Sequence, residues 1–378
     1  MAQPTERASP ADILARLPAS FAAAKESGDL YFFPSTSRGV PGQFPFNITI
    51  CPAIGAKKAA APEEPAAHES KRVRTAEASA DRPSPFRPPY VPGLYVGAFA
   101  GVDGEESTAV LLNKFAVLPE HFLLVPTEEQ PQALPPTPGQ IARTYSILQA
   151  AARSSPSQRL LAFYNGGPGA GASQRWRHVQ FIDAKGGVPL DDWVRGVTFE
   201  RQDRAVIHPT LPYIHIIHPL PAAHTIPYPL SEDDLTLLAD NLAPALMRSL
   251  DLAFDALRRS GGDRSQGWNL LMTLDAIHLI PRSQPAFALG DGQTLDLNAL
   301  GYAGMLLVTS EQHDAALDAA AKAQPDGLIS ILAKCAVPRE FGEQVIEQDA
   351  TLHGGAGAAW DGLDDPPRNF IESHKHRM

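Results

Sequence analysis

The chain has 378 residues, a formal net charge of -10 and 44% hydrophobic residues, so it is long enough for about two packed units. The acidic balance argues against a nucleic-acid partner, because backbone phosphates need a basic surface. Cys51 and Cys335 lie too far apart in sequence to indicate a disulfide framework, and no apolar run approaches the ~18 residues of a membrane span. We therefore expect a cytoplasmic protein that binds neither a membrane nor nucleic acid.

The predicted elements are short strands interrupted by a few helices. Pro18 and Pro244 lie inside predicted helices and are expected to kink them. No internal repeat is evident in the sequence, and the pattern is that of the α+β class. The predicted helices cover 8–25, 137–153, 231–259 and 310–321, and the strand candidates cover 31–33, 46–50, 94–97, 109–112, 122–125, 160–164, 268–280 and 304–308.

Composition divides the chain. Residues 59–90 are rich in Ala, Pro, Glu, Lys and Arg, and they carry too little apolar surface to fold, so we predict a disordered insertion. Its basic run at 71–74 makes the nucleus an alternative compartment, although such runs are more often only solvated charge. The polar, Gly-rich residues 353–378 are expected to form a flexible tail. These boundaries leave 1–58, 91–230 and 231–352 as the folded parts.

The segment from 160 to 182, LLAFYNGGPGAGASQRWRHVQFI, carries the clearest chemical signal. A strand candidate runs into a glycine-rich loop, where backbone N–H groups can approach an anion without obstruction by Cβ atoms. A second strand follows, on which His178 and Gln180 point to the same face. The loop lacks the P-loop sequence and is not followed by the helix of a dinucleotide fingerprint.

A neutral imidazole is a competent nucleophile toward phosphorus near pH 7. A lone histidine on a strand is more often a core residue bonded to a backbone carbonyl, so His178 alone would be weak evidence. The glycine loop directly before it favours a phosphate-transfer site. His215 and His218 also have a spacing that could hold a metal, but their apolar, Pro-flanked surroundings favour core packing.

Several motifs together resemble one family. They are CPAIGAKK from 51, NKF from 113, HFLLV from 121, the loop YNGGPGAGASQ with HVQ from 164 to 180, WNLLMT from 268, IPRS from 280 and LNALGYAGM from 297. The chain resembles the fungal diadenosine tetraphosphate (Ap4A) phosphorylases, or ATP adenylyltransferases, in the galactose-1-phosphate uridylyltransferase branch of the histidine-triad superfamily. The resemblance covers most of the chain outside 59–90.

The resemblance implies a histidine-triad-like antiparallel sheet with flanking helices, both halves supplied by one chain, which is then expected to be a monomer. Residues 1–58 and 91–230 would form the catalytic domain and 231–352 the C-terminal adenylyltransferase region. The implied reaction is phosphorolysis of Ap4A to ATP and ADP, with adenylyl carried on His178 and the transferred phosphate bound by Gln180. The remaining implied substrate-binding residues are Lys58, Asn113, Lys114, Asn165, Gly171, Ala172, Ser173, Gln174, Asn269 and Thr273.

The sequence departs from the family at one position. The family carries His-x-His-x-Gln, and here Trp176 replaces the first histidine. Relatives with structural zinc use that histidine as a ligand, so no zinc is expected, and a divalent cation (Mg²⁺ or Mn²⁺) would arrive with the substrate. Two alternatives stay open: a related transferase or hydrolase that uses another acceptor, or a catalytically impaired nucleotide-binding protein.

Overall fold

The computed structural model describes residues 8–54, 84–155, 159–185 and 187–342. None of the helices in these ranges combines the length and apolarity needed to cross a bilayer. The helices are α1 (Pro10–Ser27), α2 (Pro138–Ser154), α3 (Pro189–Trp193), α4 (Glu232–Arg259), α5 (Glu311–Lys322) and α6 (Leu328–Lys334). The strands are β1 (Tyr31–Phe32), β2 (Thr36–Val40), β3 (Phe46–Ile50), β4 (Tyr95–Phe99), β5 (Thr108–Leu112), β6 (Phe115–Ala116), β7 (Phe122–Pro126), β8 (Leu160–Gly166), β9 (Val179–Asp183), β10 (Val206–Ile207), β11 (Ile216–Pro219), β12 (Trp268–Met272), β13 (Ala276–Pro281), β14 (Ala286–Gly290), β15 (Gln293–Asp296) and β16 (Met305–Val308).

The four predicted helices are confirmed, and their starts follow capping chemistry. Ser231 accepts a hydrogen bond from the backbone of Asp234, whose carboxylate bonds back to the backbone of Ser231, and α1 and α2 begin with the same kind of capping box. Neither proline interrupts its helix, since α1 and α4 run through Pro18 and Pro244, and the predicted kinks stay predictions. Both prolines are exposed, so the carbonyl that loses its helical donor can bond to water.

A nine-stranded antiparallel sheet organises the molecule, in the order β4-β5-β7-β9-β8-β12-β13-β11-β10. Helices α1, α2 and α4 pack on one face, where Tyr145 and Leu242 join Phe181 in the larger core. The small sheet β2-β3-β16 and helices α3 and α6 pack on the other face around Phe163 and Trp193. The α+β class with antiparallel strands and flanking helices is confirmed.

The structure contains an internal repeat, which corrects the sequence analysis. An N-terminal half (β5, β7, α2, β8, β9) and a C-terminal half (β10, β11, α4, β12, β13) have the same order and meet where β8 pairs with β12. The register repeats as well: Leu123 lies opposite Gln180 in one half, and Ile217 lies opposite His278 in the other. The equivalent positions are Asn113 and His208, His121 and His215, His178 and Ala276, and Gln180 and His278.

The end of the predicted insertion is folded. Residues 55–83 lie outside the described residues, but Phe86 and Tyr90, which we placed in the disordered stretch 59–90, are buried against Trp176 and Leu123. Aromatic side chains supply the apolar area that the rest of the stretch lacks. The disorder prediction is therefore wrong for 84–90. The predicted tail at 353–378 lies outside the described residues, and the other domain boundaries stay predictions.

Candidate active site

The glycine-rich loop leaves β8 at Gly166 and packs against the C-terminal half. A Cβ atom at Gly169 would lie 2.4 Å from the backbone oxygen of Gln266, and one at Gly171, whose φ is +91°, would lie 2.9 Å from Cβ of Asn298. These glycines are therefore required by close packing. The N–H groups of Gly171 and Ala172 bond back to the carbonyls of 168 and 167.

Ser173 and Gln174, the next two residues of the loop, carry hydrogen-bond donors that a bound phosphate could use. Ser173 is exposed and Gln174 is half-buried. Within the described residues their N–H groups and side chains form no hydrogen bond. A phosphate bound at this loop would meet these donors, whereas the backbone donors of Gly171 and Ala172 are already occupied.

Two of the predicted substrate-binding residues lie beneath the loop rather than in it. Asn165 and Asn269 are buried, and Nδ2 of Asn269 donates to Oδ1 of Asn165 and to the carbonyl of Ala170, both at 2.9 Å. Oδ1 of Asn165 also accepts from the N–H of Ala299. These contacts support the loop from below, so direct contact of either amide with substrate stays a prediction.

Arg282, which the sequence analysis did not single out, anchors this network. It is fully buried, and its Nη1 donates to Oδ1 of Asn269 at 2.7 Å. Its remaining bonds go to the backbone carbonyls of Leu297, Gln284 and Cys335, and its guanidinium lies 5.0 Å from the centre of the Tyr302 ring. Its position in the IPRS motif, directly after an apolar strand, is the sequence feature that could have identified Arg282 as a site residue.

His178 directly precedes β9 and is not within the strand as predicted, yet it lies on the expected face. It is 4% exposed, its N–H donates to Oε1 of Gln132 at 2.8 Å, and its Nδ1 lies 2.8 Å from the carbonyl oxygen of Trp176. Because a carbonyl can only accept, Nδ1 carries the proton and Nε2 keeps its lone pair. Burial lowers the pKa of His178 to about 4, so the imidazole is neutral near pH 7.

A chain of hydrogen bonds fixes Gln180. Oδ1 of Asn113 accepts from the N–H of Phe115, so the Nδ2 amide of Asn113 donates to Nδ1 of His121 at 3.1 Å. Nε2 of His121 must then carry the proton and donate to Oε1 of Gln180 at 3.1 Å. The Nε2 donors of Gln180 are thereby left for another acceptor. The sequence analysis missed His121, although HFLLV contains it.

Trp176 is part of a buried apolar cluster. It is 3% exposed, packs with Phe86 and Leu123, and donates from Nε1 to the carbonyl of Pro126 at 3.0 Å. Its indole is thus not available to stack on a base. Phe86 lies between it and the site, with its ring centre 5.1 Å from that of His178.

The other predicted residues are spread more widely. Lys58 lies outside the described residues. Lys114 is exposed, and its Nζ lies 5.9 Å from the ring centres of Tyr31 and Phe115. Thr273 is not brought to His178: it follows Met272, which pairs with Ala162 toward the end of β8 away from the glycine loop. Its Oγ1 accepts from two N–H groups of the β12–β13 turn.

Metal ligands are not assembled in the described part of the chain. No group of three or more His, Cys, Asp or Glu side chains there is arranged to hold an ion. His215 and His218 are buried as core residues, as expected from their apolar surroundings. The absence of zinc and the requirement for a divalent cation both stay predictions.

Comparisons with known proteins identify the family to which the chain is similar. A family model for the Ap4A phosphorylase N-terminal domain matches residues 4–192, and one for the ATP adenylyltransferase C-terminal domain matches residues 209–338. Protein APA1 of Saccharomyces cerevisiae is 27% identical over 346 residues, which cover 89% of this chain and 97% of APA1. Diadenosine 5',5'''-P1,P4-tetraphosphate phosphorylase 2 of the same yeast is 28% identical over 222 residues, covering 56% of this chain and 65% of the relative.

The fold is also found in solved structures. The crystal structure of yeast Ap4A phosphorylase Apa2 in complex with Ap4A has a TM-score of 0.64 and 24% identity, covering 86% of this chain and 98% of Apa2. Another crystal structure of yeast Ap4A phosphorylase Apa2 has the same TM-score at 25% identity, and the match covers 86% of this chain and 95% of Apa2. The two family models together span both halves of the repeat apart from β10, and the resemblance read from the motifs is confirmed. The chain belongs to the family of Ap4A phosphorylases and ATP adenylyltransferases, which are nucleotidyltransferase enzymes.

Proposed function

We propose that this chain catalyses phosphorolysis of Ap4A to ATP and ADP, with the adenylyl group carried on Nε2 of His178. The observation that carries the proposal is the 2.8 Å bond from Nδ1–H of His178 to the carbonyl of Trp176. That bond selects the tautomer with a lone pair on Nε2, and burial holds the pKa of the ring near 4. A buried, neutral and oriented imidazole is what nucleophilic attack on phosphorus requires.

The reaction has two displacements. Nε2 of His178 attacks the α-phosphorus of one AMP unit, the bond from that phosphorus to the bridging oxygen breaks, and ATP leaves with the bonding electrons. Nδ1 keeps its proton and its bond to the Trp176 carbonyl, so the adenylylated ring is held in place. An oxygen of inorganic phosphate then attacks the same phosphorus, the P–N bond breaks, ADP leaves, and His178 returns to its neutral form.

Charge stabilisation would come from a few defined donors. Gln180, oriented by His121, directs its amide N–H groups toward a non-bridging oxygen of the transferred phosphate. Ser173 and Gln174 would bind the phosphate chain at the loop, and the cations of Lys58 and Lys114 would offset its charge. Because the described residues hold no carboxylate cluster for a metal, Mg²⁺ or Mn²⁺ would enter bound to the polyphosphate, as part of the substrate.

An exposed aromatic stack supports binding of a nucleobase near Lys114. The rings of Tyr31 and Phe115 stack at 5.7 Å, and Phe33 also lies stacked against Phe115 at 6.4 Å. Tyr31 is 51% exposed and Phe115 is 39% exposed. Phe115 is tied to the site through Asn113, which bonds to both its N–H and His121. Stacking on such a surface tolerates any base, so it would contribute affinity rather than base specificity.

The Trp176 substitution does not by itself favour the impaired, nucleotide-binding alternative. His178 uses the backbone carbonyl of Trp176, and any residue at that position supplies the same carbonyl. The alternative acceptors are tested by the products. Phosphorolysis predicts ATP and ADP and a strict need for phosphate, whereas hydrolysis predicts AMP without it.

Intact mass spectrometry tests the intermediate directly. Incubation with Ap4A in the absence of phosphate should add one adenylyl group to the wild-type chain, and His178→Ala should abolish the adduct. His224→Ala, which changes an exposed histidine, is the matched control and should form the adduct as the wild type does. Addition of phosphate should discharge the adduct to ADP. An adduct that persists in His178→Ala, or turnover to AMP at an equal rate without phosphate, would refute the proposal.

A further inference from the structure

The C-terminal half of the repeat keeps the geometry of the active site without its nucleophile. Nε2 of His215 and Nδ1 of His278 are 3.0 Å apart, which repeats the 3.1 Å contact between His121 and Gln180 in the N-terminal half. Ala276 occupies the position equivalent to His178, and a tight turn replaces the glycine loop. No covalent intermediate can form there, because a methyl group stands where the imidazole would be.

A cavity opens at this second location. It has a volume of about 690 Å³, within the range of small-molecule sites. Met272 pairs with Ala162 and Trp268 pairs with Gly166, so the cavity and the glycine loop lie toward opposite ends of β8. The polar residues that line the cavity include Asn47, Arg159, Asp191, Arg195, Asp275 and His278.

His278 directs a hydrogen-bond donor into the cavity. It is 1% exposed, and Nδ1 of its ring is occupied by His215, whose own Nδ1 is buried without a partner. A buried acceptor without a partner is better tolerated than a buried N–H without one. His215 therefore carries its proton on Nε2 and donates it to His278. Nε2–H of His278 then faces the cavity, with no partner among the described residues.

The cavity offers both signs of charge. Arg159 and Arg195 are exposed cations that can bind phosphate oxygens, and Arg195 also pairs at 2.5 Å with Asp192, a third carboxylate that lines the cavity. The carboxylates of Asp191 and Asp275 can accept hydrogen bonds from vicinal hydroxyl groups. A bare phosphate would leave the carboxylates without donors, and a metal ion would be repelled by the guanidinium groups. A nucleoside monophosphate has an anionic group, two ribose hydroxyls and ring acceptors, and so satisfies all of these groups.

We propose that this cavity binds a nucleoside monophosphate without reacting with it, as a second nucleotide site in the C-terminal half. The site does not depend on the reaction proposed for His178, since none of the residues used in that reaction lines the cavity; Thr273, which the resemblance implied as substrate-binding, lines this cavity instead. The full chain would then bind two molecules of AMP, one at each half of the repeat.

Isothermal titration with AMP tests the proposal through stoichiometry. Wild-type chain should bind two molecules of AMP, and Arg159→Ala/Arg195→Ala should weaken one of the two sites by at least about tenfold, the loss expected for one charge-assisted hydrogen bond. Arg258→Ala is the matched control. Arg195 and Arg258 each bond to an aspartate three residues away at 2.5 Å, and they are 78% and 75% exposed.

Each outcome of the titration decides between the two sites. A single AMP per chain whose affinity is unchanged in the double variant would overturn the second site. A single AMP that is lost in the double variant would support it and count against nucleotide binding at His178. Titrations with adenosine and with inorganic phosphate complete the test: if phosphate alone competes as strongly as AMP, the nucleoside part of the proposal is wrong.

Discussion

Replacing Trp176 with histidine, the residue that the sequence resemblance leads us to expect there, tests what that position does. The structure places Trp176 in an apolar cluster with Phe86 and Leu123, where its ring is 3% exposed. The indole N–H of Trp176 donates to the backbone carbonyl of Pro126. We therefore expect Trp176→His to damage packing and to leave the chemistry at His178 unimproved.

The magnitude follows from burial. A buried Trp removes up to about 250 Å² from water, and the smaller, more polar imidazole forgoes about 100 Å² of apolar burial, or ~2.5 kcal/mol. A ring nitrogen buried without a partner costs about 1–3 kcal/mol more. The expected loss in the free energy of unfolding is therefore about 3.5–5.5 kcal/mol. Trp176→Phe, which keeps most of the ring and loses only the bond to the Pro126 carbonyl, should cost about 1–2 kcal/mol.

Urea denaturation measures the two losses, and rapid-quench mass spectrometry measures the rate of adenylyl-enzyme formation under conditions where both variants are folded. Both variants should form the adduct within about tenfold of the wild-type rate, because the Nδ1 bond of His178 goes to a backbone carbonyl. The reasoning is refuted if Trp176→His is as stable as the wild type, or if it forms the adduct more than about tenfold faster.

Three further predictions follow from the site. His121→Leu should lower kcat about tenfold while KM changes less, since the Gln180 amide loses the donor that orients it. Steady-state kinetics measure this, with circular dichroism as the check that the variant is folded. An unchanged kcat contradicts the prediction. Phe115→Ala should raise KM for Ap4A about tenfold with kcat nearly constant if a base stacks there, and Met247→Ala, another exposed apolar residue, should not. The pKa values of His121 and His178 are each lowered to about 4 by burial, whereas a histidine in the unfolded chain titrates near 6.5. The unfolded state therefore binds more protons between these values, and the free energy of unfolding should fall as the pH drops from 6.5 to 4, by on the order of 1–3 kcal/mol per histidine. Because burial also lowers the pKa of His208, His215, His218 and His278, the share of His121 is the difference between wild type and His121→Leu in chemical denaturation across that range, and an equal fall in both contradicts the prediction.

The local signals in the sequence predicted the helices and singled out His178 as the candidate nucleophile. Capping residues such as Ser231 and Asp234 act within one turn, and the glycine loop and His178 lie close together in the chain. The helix α4 continues through Pro244 because this proline faces solvent, where water can take the place of the lost helical bond. Phe86 was hidden by a Pro-rich composition, although its aromatic ring was the feature that made the segment foldable.

Contacts across the sheet could not be predicted from the sequence. Asn165 and Asn269 were expected beside the substrate, and the structure bonds them to each other and to Arg282, because β8 and β12 are neighbours only in the folded sheet. His121 was missed for the same reason: its bond to Gln180 joins two strands that are far apart in the chain. Polar residues of this kind position the reacting groups, and their role depends on pairing rather than on local sequence.

The internal repeat explains why only one half is expected to react. A nucleophile at the start of β9 is useful only where a loop can surround the phosphate it attacks, and residues 167–177 provide that loop before His178. The equivalent connection between β12 and β13 is a short hairpin in which the Thr273 hydroxyl accepts from the N–H groups of Asp275 and Ala276, so these two donors are occupied within the turn. This accounts for an alanine, Ala276, at the position equivalent to His178, because a histidine there would have no loop beside it to bind the phosphate that it attacks. The His215–His278 pair is not explained in the same way, since a purely structural half would gain more from apolar side chains than from two buried imidazoles with one nitrogen unbonded. A ligand that accepts from His278 is the simplest reason for the pair to be there.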